Sequence, residues 1–151
     1  MAVGLLQGIL GTPAAEAFPA WESLSDQVRG QMVDQIAGQQ LRIATSGDGR
    51  DAQLFYWQRE GGRPGEIDYL IQAAGRIVPI ELKSGAAGSM KSLHQFMFDK
   101  RLALAVRLDS NPPSLQTMDV RTTQSDVVKY QLVNLPHYLA WNLPQLLSRI
   151  R

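Results

Sequence analysis

The sequence contains no cysteine, which excludes disulfides, thiolate zinc sites and a cysteine nucleophile. Its two histidines, His94 and His137, are too few for a multi-histidine metal site, so oxygen atoms are the metal ligands that remain. The chain also has almost no net charge. Lys and Arg number 15 and Asp and Glu 14, so any nucleic-acid contact must come from a local patch.

Long apolar runs and transport signals are also absent. No run reaches the ~18 apolar residues of a membrane helix. Ala15-Glu16-Ala17 is similar to a cleavage site, but the first positive charge is Arg29, so the charge pattern of a signal peptide is missing. The sequence therefore predicts a cytoplasmic protein without membrane contact. Since no Gly-x-x-x-x-Gly-Lys-Ser/Thr loop occurs, we predict that the chain itself binds no ATP.

What is present is an ordinary globular composition. The chain has 151 residues, of which 44% are hydrophobic, enough for one domain with a sizeable core. Residues 1–26 are small and apolar and are broken by Pro13 and Pro19. Such a short segment is not stable alone, so we predict an N-terminal docking segment at 1–26 and a single domain at 27–151.

The hydrophobic pattern predicts a mixed order of elements. Apolar residues at helical spacing predict a helix over about 28–42, capped by Ser25 or Asp26. Segments 53–58, 66–72 and 77–83 predict an antiparallel meander, with Ile67, Tyr69 and Ile71 on one face of its middle strand. Next we predict a helix over 89–99, capped by Ser89, and strands over 102–108 and 127–133. A final helix is expected to begin at Pro136 and to be interrupted or restarted at Pro144. This order indicates an α/β fold.

The meander brings charged residues together. If the turn is symmetric about Ala74 and Gly75, Asp68 lies directly opposite Glu81. Lys83, two residues beyond Glu81, shares its face. A turn of three or five residues, or a bulge at Pro79, would shift this register. Two carboxylates are suitable ligands for Mg²⁺, and a nearby lysine can activate a water or offset phosphate charge.

These residues carry a resemblance to a known family. Asp68, a turn and then Glu81-Leu82-Lys83 resemble the PD-(D/E)XK motif of the restriction-endonuclease-like fold, and the order of elements is similar to its α-β-β-β-α-β core. From Val3 onward, further segments resemble the C-terminal domain of unknown function of predicted bacterial and archaeal AAA-type ATPases. They are Leu54-Phe55-Tyr56-Trp57, Gly65-Glu66-Ile67-Asp68-Tyr69-Leu70, Val78-Pro79-Ile80-Glu81-Leu82-Lys83-Ser84-Gly85, Ser92-Leu93 and Asn134-Leu135-Pro136-His137-Tyr138-Leu139-Ala140-Trp141.

The resemblance implies a fold, an activity and roles for individual residues. It implies a mixed sheet, with an antiparallel meander plus a parallel strand, flanked by helices, in a nuclease that uses Mg²⁺ or Mn²⁺ on nucleic acid, with DNA favoured. Asp68 and Glu81 would hold the metal and Lys83 would activate the water. Asp34 stands where relatives often place a glutamate ligand. The next helix would add Gln95 or Lys91, and an ATPase module would be the partner.

Other interpretations stay open at this stage. Glu81 and Lys83 could form an ordinary surface ion pair, or a vestigial charge cluster in a non-catalytic DNA-binding or interaction module. A phosphate-binding patch would need several dispersed cations to cluster in space: Arg63, Arg76, Lys91 and Arg101. Phe55, Tyr56 and Trp57 of the first strand could stack bases, but strand aromatics usually pack in the core, and Tyr138 and Trp141 are likewise expected to pack the last helix.

Overall fold

The computed structural model describes residues 24–46, 52–61 and 65–150. Within them a six-stranded mixed sheet is flanked by helices. In chain order the elements are α1 (Asp26–Thr45), β1 (Phe55–Gln58), β2 (Glu66–Ala73), β3 (Arg76–Leu82), α2 (Lys91–Lys100), β4 (Leu104–Asp109), β5 (Ser114–Arg121), β6 (Val127–Pro136), a 3₁₀ helix (His137–Asn142) and α3 (Leu143–Ser148). The α/β class and the mixed sheet are confirmed. Most of the predicted docking segment 1–26 lies outside the described residues.

The first helix begins where the sequence predicts. Ser25 is its N-cap, and the Ser25 side chain accepts a hydrogen bond from the Val28 amide. Its buried positions, Met32, Val33, Ala37 and Leu41, follow helical spacing, and Ala37 and Leu41 pack in the core cluster on one face of the sheet. For α2, the predicted cap at Ser89 is one residue off, because the helix starts after Met90, which makes no side-chain capping bond.

The β2–β3 turn fixes the register that the sequence predicts. Ala74 and Gly75 both have positive φ, 50° and 74°, as a two-residue hairpin turn of this hand requires. Tyr69 pairs with Ile80, and Ala73 pairs with Arg76. The register passes through Pro79 without a shift, so continuing it by one residue places Asp68 across from Glu81.

A bulge on β2 changes which side chains share a face. Phe55 pairs with Leu70 but Trp57 pairs with Ile67, so β2 carries one extra residue between Ile67 and Leu70. Ile67 therefore packs against α2, whereas Tyr69 packs on the other face with α1. The expectation that Ile67, Tyr69 and Ile71 share a face was wrong, because strict alternation fails across a bulge.

The strand order is β1-β2-β3-β4-β6-β5, with β3, β4 and β6 parallel to one another. Their carboxyl ends, at Leu82, Asp109 and Pro136, therefore meet at one edge of the sheet. Ligands of open α/β sheets bind at this kind of edge. One core cluster lies between the sheet and α1 with α3, and the other lies under α2.

The sequence missed β5 and misjudged several aromatic residues. β5 is an edge strand whose side chains are mostly exposed, so it lacks the apolar alternation that marks a half-buried strand. Tyr56, Tyr138 and Trp141 were expected to pack in the core but are 77%, 66% and 57% exposed.

Among the helices that the structure describes, none combines the length and apolar character needed to cross a membrane.

Candidate functional site

Asp68 and Glu81 meet at the carboxyl edge of the parallel strands. Asp68 lies in the β2 bulge, and its Oδ2 accepts a 2.6 Å hydrogen bond from the Leu82 amide. Glu81 lies on β3 and is 6% exposed. The bulge thus turns Asp68 toward the end of β3, where the backbone ladder between the two strands stops.

Lys83 is held from several sides. Its Nζ lies 2.6 Å from Glu81 Oε1, and its amide donates to the Leu108 carbonyl at 2.9 Å. Its carbonyl accepts from His137 Nε2 at 2.7 Å, so that ring nitrogen carries a proton. The aliphatic stem crosses Gly88, where an added Cβ would lie 2.5 Å from Lys83 Cδ. The ammonium is therefore directed at Glu81 by contacts along the whole residue.

The surroundings of Asp68 and Glu81 raise the pKa of both carboxyl groups. Burial raises the pKa of Asp68, and Glu66 adds to the increase, while the Leu82 amide and Lys83 oppose it. Burial also raises the pKa of Glu81, and the charge of Asp68 adds to the increase, while the hydrogen bond from Lys83 opposes it. Both groups hold their negative charge less readily than in water, and a bound cation would relieve this.

Asp34 joins the charge cluster from α1. The Tyr69 hydroxyl donates to the Asp34 carbonyl at 3.0 Å, which holds this turn of α1 against β2. Partial burial, and then the charge of Asp68, raise the pKa of Asp34 from 3.8 to about 6, although its side chain keeps a solvent-exposed edge. Burial and the charges of Asp34 and Asp68 also raise the pKa of Tyr69. Asp34 is thus coupled to Asp68 through space.

The arrangement offers oxygen ligands to a cation. In the described part of the chain, hydrogen bonds occupy Asp68 Oδ2 and Glu81 Oε1, which leaves Asp68 Oδ1 and Glu81 Oε2 for a ligand. No three His, Cys, Asp or Glu residues among those described converge to hold a metal together. Two carboxylates suffice for Mg²⁺ when water and substrate complete its shell. The role of Asp34 as a third ligand stays a prediction.

The comparisons with known proteins concern this same stretch of chain. The profile of a protein family described as Domain of unknown function (DUF4143) matches residues 29–135. The chain belongs to the DUF4143 family. The matched segment includes all four predicted site residues, Asp34, Asp68, Glu81 and Lys83. No curated protein and no solved structure matches the chain.

A second polar network in this DUF4143 domain supports the loop after β3. Asp109 is fully buried and pairs with Arg107 Nε at 2.8 Å. Arg107 and Asn111 both donate to the Ala86 carbonyl at 2.9 Å, and Asn134 donates to Asp109 Oδ1 at 3.0 Å. The network fixes the loop that carries Gly88 and so fixes the surface on which the Lys83 stem lies.

Sequence reasoning missed the residues that support Lys83, and it overestimated the basic patch. His137 lies in one of the segments that carry the family resemblance, whereas Gly88 and Asp109 carry no motif. A further signal was the position of all three residues at or after the ends of strands. Gln95 hydrogen-bonds to Asp99 and Thr123 rather than to the carboxylate pair. Of the four predicted patch cations, Arg63 lies outside the described residues, and Arg76 donates to carbonyls near the end of α3. Lys91 and Arg101 lie at opposite ends of α2.

Proposed function

We propose that this DUF4143 domain is a Mg²⁺- or Mn²⁺-dependent nuclease that cleaves phosphodiesters of nucleic acid. The observation that carries the proposal is the placement of Asp68 and Glu81 on adjacent strands, both with raised pKa values, beside an ammonium that Glu81 orients. The family resemblance of the motif points to the same chemistry.

The donor set fits a hard divalent cation. Asp68 Oδ1 and Glu81 Oε2 would hold it, and the charge cluster of Asp34, Asp68 and Glu81 supplies the attraction. When bound, the ion supplies Lewis acidity and lowers the pKa of a coordinated water.

The remaining tasks fall to this chain's own side chains. Lys83 neutralises part of the carboxylate charge through Glu81 and places a positive charge where the negative charge of a phosphate would increase during attack. His137 and Gly88 keep the ammonium in place through the backbone and stem of Lys83. In enzymes that transfer phosphoryl groups, the positioning of charged groups accounts for much of the decrease in the activation barrier.

A cleavage assay with paired lysine variants tests the proposal. Single- and double-stranded DNA and RNA are incubated with Mn²⁺ or Mg²⁺ and wild type, Lys83→Ala or Lys129→Ala. Lys129 also forms a lysine–carboxylate ion pair, with Asp119 at 2.8 Å, but on the surface. Metal-dependent cleavage that is lost only in Lys83→Ala supports the nuclease and identifies its substrate. Equal cleavage by Lys83→Ala contradicts the assignment.

A second candidate function is a non-catalytic DNA-binding or interaction module that works with an AAA-type ATPase. The specific observation in its favour is that the Glu81–Lys83 pair is already closed at 2.6 Å, with no third metal-ligating residue converging on it in the described ranges. In that case Asp68, Glu81 and Lys83 form a structural charge cluster. Wild-type protein would then neither cleave nor bind Mn²⁺ in calorimetry.

A further inference from the structure

A cleft separate from the carboxylate pair lies between the loop end of the β1–β2 hairpin and α2. It encloses about 170 Å³ and is lined by Trp57, Arg59, Gly65, Lys91, Ser92, Gln95 and Thr123. That volume holds about six waters at ~30 Å³ each and is below the ~300 Å³ of the smallest typical ligand pockets. It suits a compact polar group rather than a whole nucleotide.

The charge balance of the cleft favours an anion. Arg59 donates to Asp99 at 2.9 Å, and Gln95 donates to the other oxygen of Asp99, so the nearby carboxylate is already satisfied. Lys91 forms no ion pair with any residue that the structure describes, and its side chain is exposed. Ser92 adds a hydroxyl group to the same lining. The positive charge of Lys91 is therefore available to a ligand.

The floor of the cleft is rigid. The Trp57 ring packs on Phe96 at 4.8 Å between centroids, and the Arg59 guanidinium lies 5.8 Å from the Trp57 ring centre. The Thr123 hydroxyl donates to Gln95, which is 2% exposed. Positively charged side chains along a groove are the contacts that proteins make to the backbone of single strands, and Lys91 and Arg59 provide them here.

The cleft is on the same side of the sheet as Glu81. The charge of Glu81 raises the pKa of Tyr130, after burial, and Tyr130 packs in the cluster under α2 that Trp57 also contacts. Gly65, which lines the cleft, precedes Asp68 by three residues, so the two positions are at most about 10 Å apart at ~3.3 Å per residue. A nucleic-acid strand at the carboxylate pair can therefore also reach the cleft.

We propose that this cleft binds a backbone phosphate of the nucleic-acid strand that occupies the carboxylate pair, with Lys91 as its main charge partner. The inference rests on the proposed function, because it takes nucleic acid as the substrate of the neighbouring site. Lys91 acts in binding and takes no part in the cleavage chemistry.

The test measures how the affinity for a 15-nucleotide oligothymidylate depends on salt, in EDTA so that no cleavage occurs. Removing one phosphate contact should reduce the slope of log K against log salt by about 0.7 for a single strand. We expect Lys91→Gln to show this reduction and Lys91→Arg to keep the wild-type slope. Lys100→Gln is the matched control, since Lys100 lies on the same helix about 14 Å away at ~1.5 Å per residue.

Several results would overturn the inference. Among them are equal slopes for Lys91→Gln and wild type, the same reduction in Lys100→Gln, and no oligothymidylate binding by wild type at low salt. Polyglutamate of equal charge that binds with the same dependence on Lys91 would also overturn it, because the cleft would then take any polyanion or an acidic protein. If wild type cleaves nucleic acid but Lys91→Gln keeps the wild-type slope, the phosphate-binding role of the cleft is wrong and the nuclease proposal stands. If Lys91→Gln changes the slope but no metal supports cleavage, the nuclease proposal is wrong and the phosphate-binding role stands.

Discussion

At the scale of single residues, Asp34 gives the site its clearest pH dependence. Its pKa rises from 3.8 to about 6, through partial burial first and then the charge of Asp68. The native state therefore binds more protons than the unfolded state between these values. This contribution to stability is complete below about pH 3.8 and is lost as the pH rises through about 6.

Asp34→Asn should remove this dependence. In EDTA we expect the melting temperature of the variant, relative to wild type, to rise between about pH 4.5 and about pH 7. Only the wild type loses stability when the Asp34 carboxyl ionises in its partly buried position. Thermal melts across this range measure the difference. Glu60→Gln, at an exposed carboxyl outside the charge cluster, is the control. A difference that stays constant with pH would contradict the raised pKa of Asp34.

Gly88 is the second residue at which a single substitution is informative. Its φ of +149° strains any L-residue, and an added Cβ would meet Lys83 Cδ at 2.5 Å. We expect Gly88→Ala to lower the melting temperature by about 2–6 °C and to reduce any metal-dependent cleavage by about 10- to 100-fold, because the ammonium is displaced.

Gly85→Ala is the matched control in the same loop. An added Cβ at Gly85 would meet no atom within 4 Å, so its melting temperature and cleavage should stay close to wild type. Cleavage by Gly88→Ala at the wild-type rate would show that the Lys83 stem does not depend on this surface.

At the scale of elements, two glycines of α1 test how the helix is held against β2. An added Cβ at Gly38 would lie 2.5 Å from the Tyr69 hydroxyl, whereas one at Gly30 would meet nothing within 4 Å. Gly30→Ala should therefore stabilise the fold by the usual ~0.5–1 kcal/mol of a helix interior. Gly38→Ala should destabilise it, because Tyr69 and the Asp34 carbonyl must separate. Urea denaturation of both variants decides, and stabilisation by both would contradict the close approach.

The elements also show what a sequence pattern can and cannot predict. The helix α1 buries one regular face, so its apolar spacing identified it. The strand β3 is buried from Val78 to Leu82, and its alternating Val78, Ile80 and Leu82 identified it. Strand β5 pairs along one side only and leaves most of its side chains in water, so its composition resembles a loop. The bulge on β2 depends on pairing with β1, which the spacing of β2 alone does not contain.

At the scale of the whole molecule, the same distinction applies to the candidate site. Asp68, Glu81 and Lys83 belong to one hairpin with a two-residue turn, so local arithmetic was enough to bring them together. His137 reaches Lys83 only because β6 runs parallel to β3, with β4 between them, and ends at the same edge. The Arg107–Asp109 pair and Asn134 likewise lie next to the site through sheet order. Support that depends on non-local pairing could not be found before the topology was known.

Whole-molecule stability also separates the two candidate functions. Asp68→Asn keeps an oxygen that can accept from the Leu82 amide and removes a charge whose pKa is raised chiefly by burial. If the cluster is a metal site, the metal-free variant should melt higher than wild type near neutral pH, because the unfavourable charge is gone. Mn²⁺ at about 100 times its Kd should stabilise wild type by about 2.7 kcal/mol and leave the variant unchanged.

The opposite sign is expected if the cluster is a structural ion network. Removing one member of a buried charge network costs about 3–5 kcal/mol, less for a half-buried group such as Asp68. Asp68→Asn would then melt lower than wild type, and Mn²⁺ would stabilise neither protein. Calorimetric melts of both proteins in EDTA and in Mn²⁺ measure two shifts in melting temperature, one caused by the substitution and one caused by the metal. Because stability is read without any nucleic acid, the outcome does not depend on choosing the right substrate.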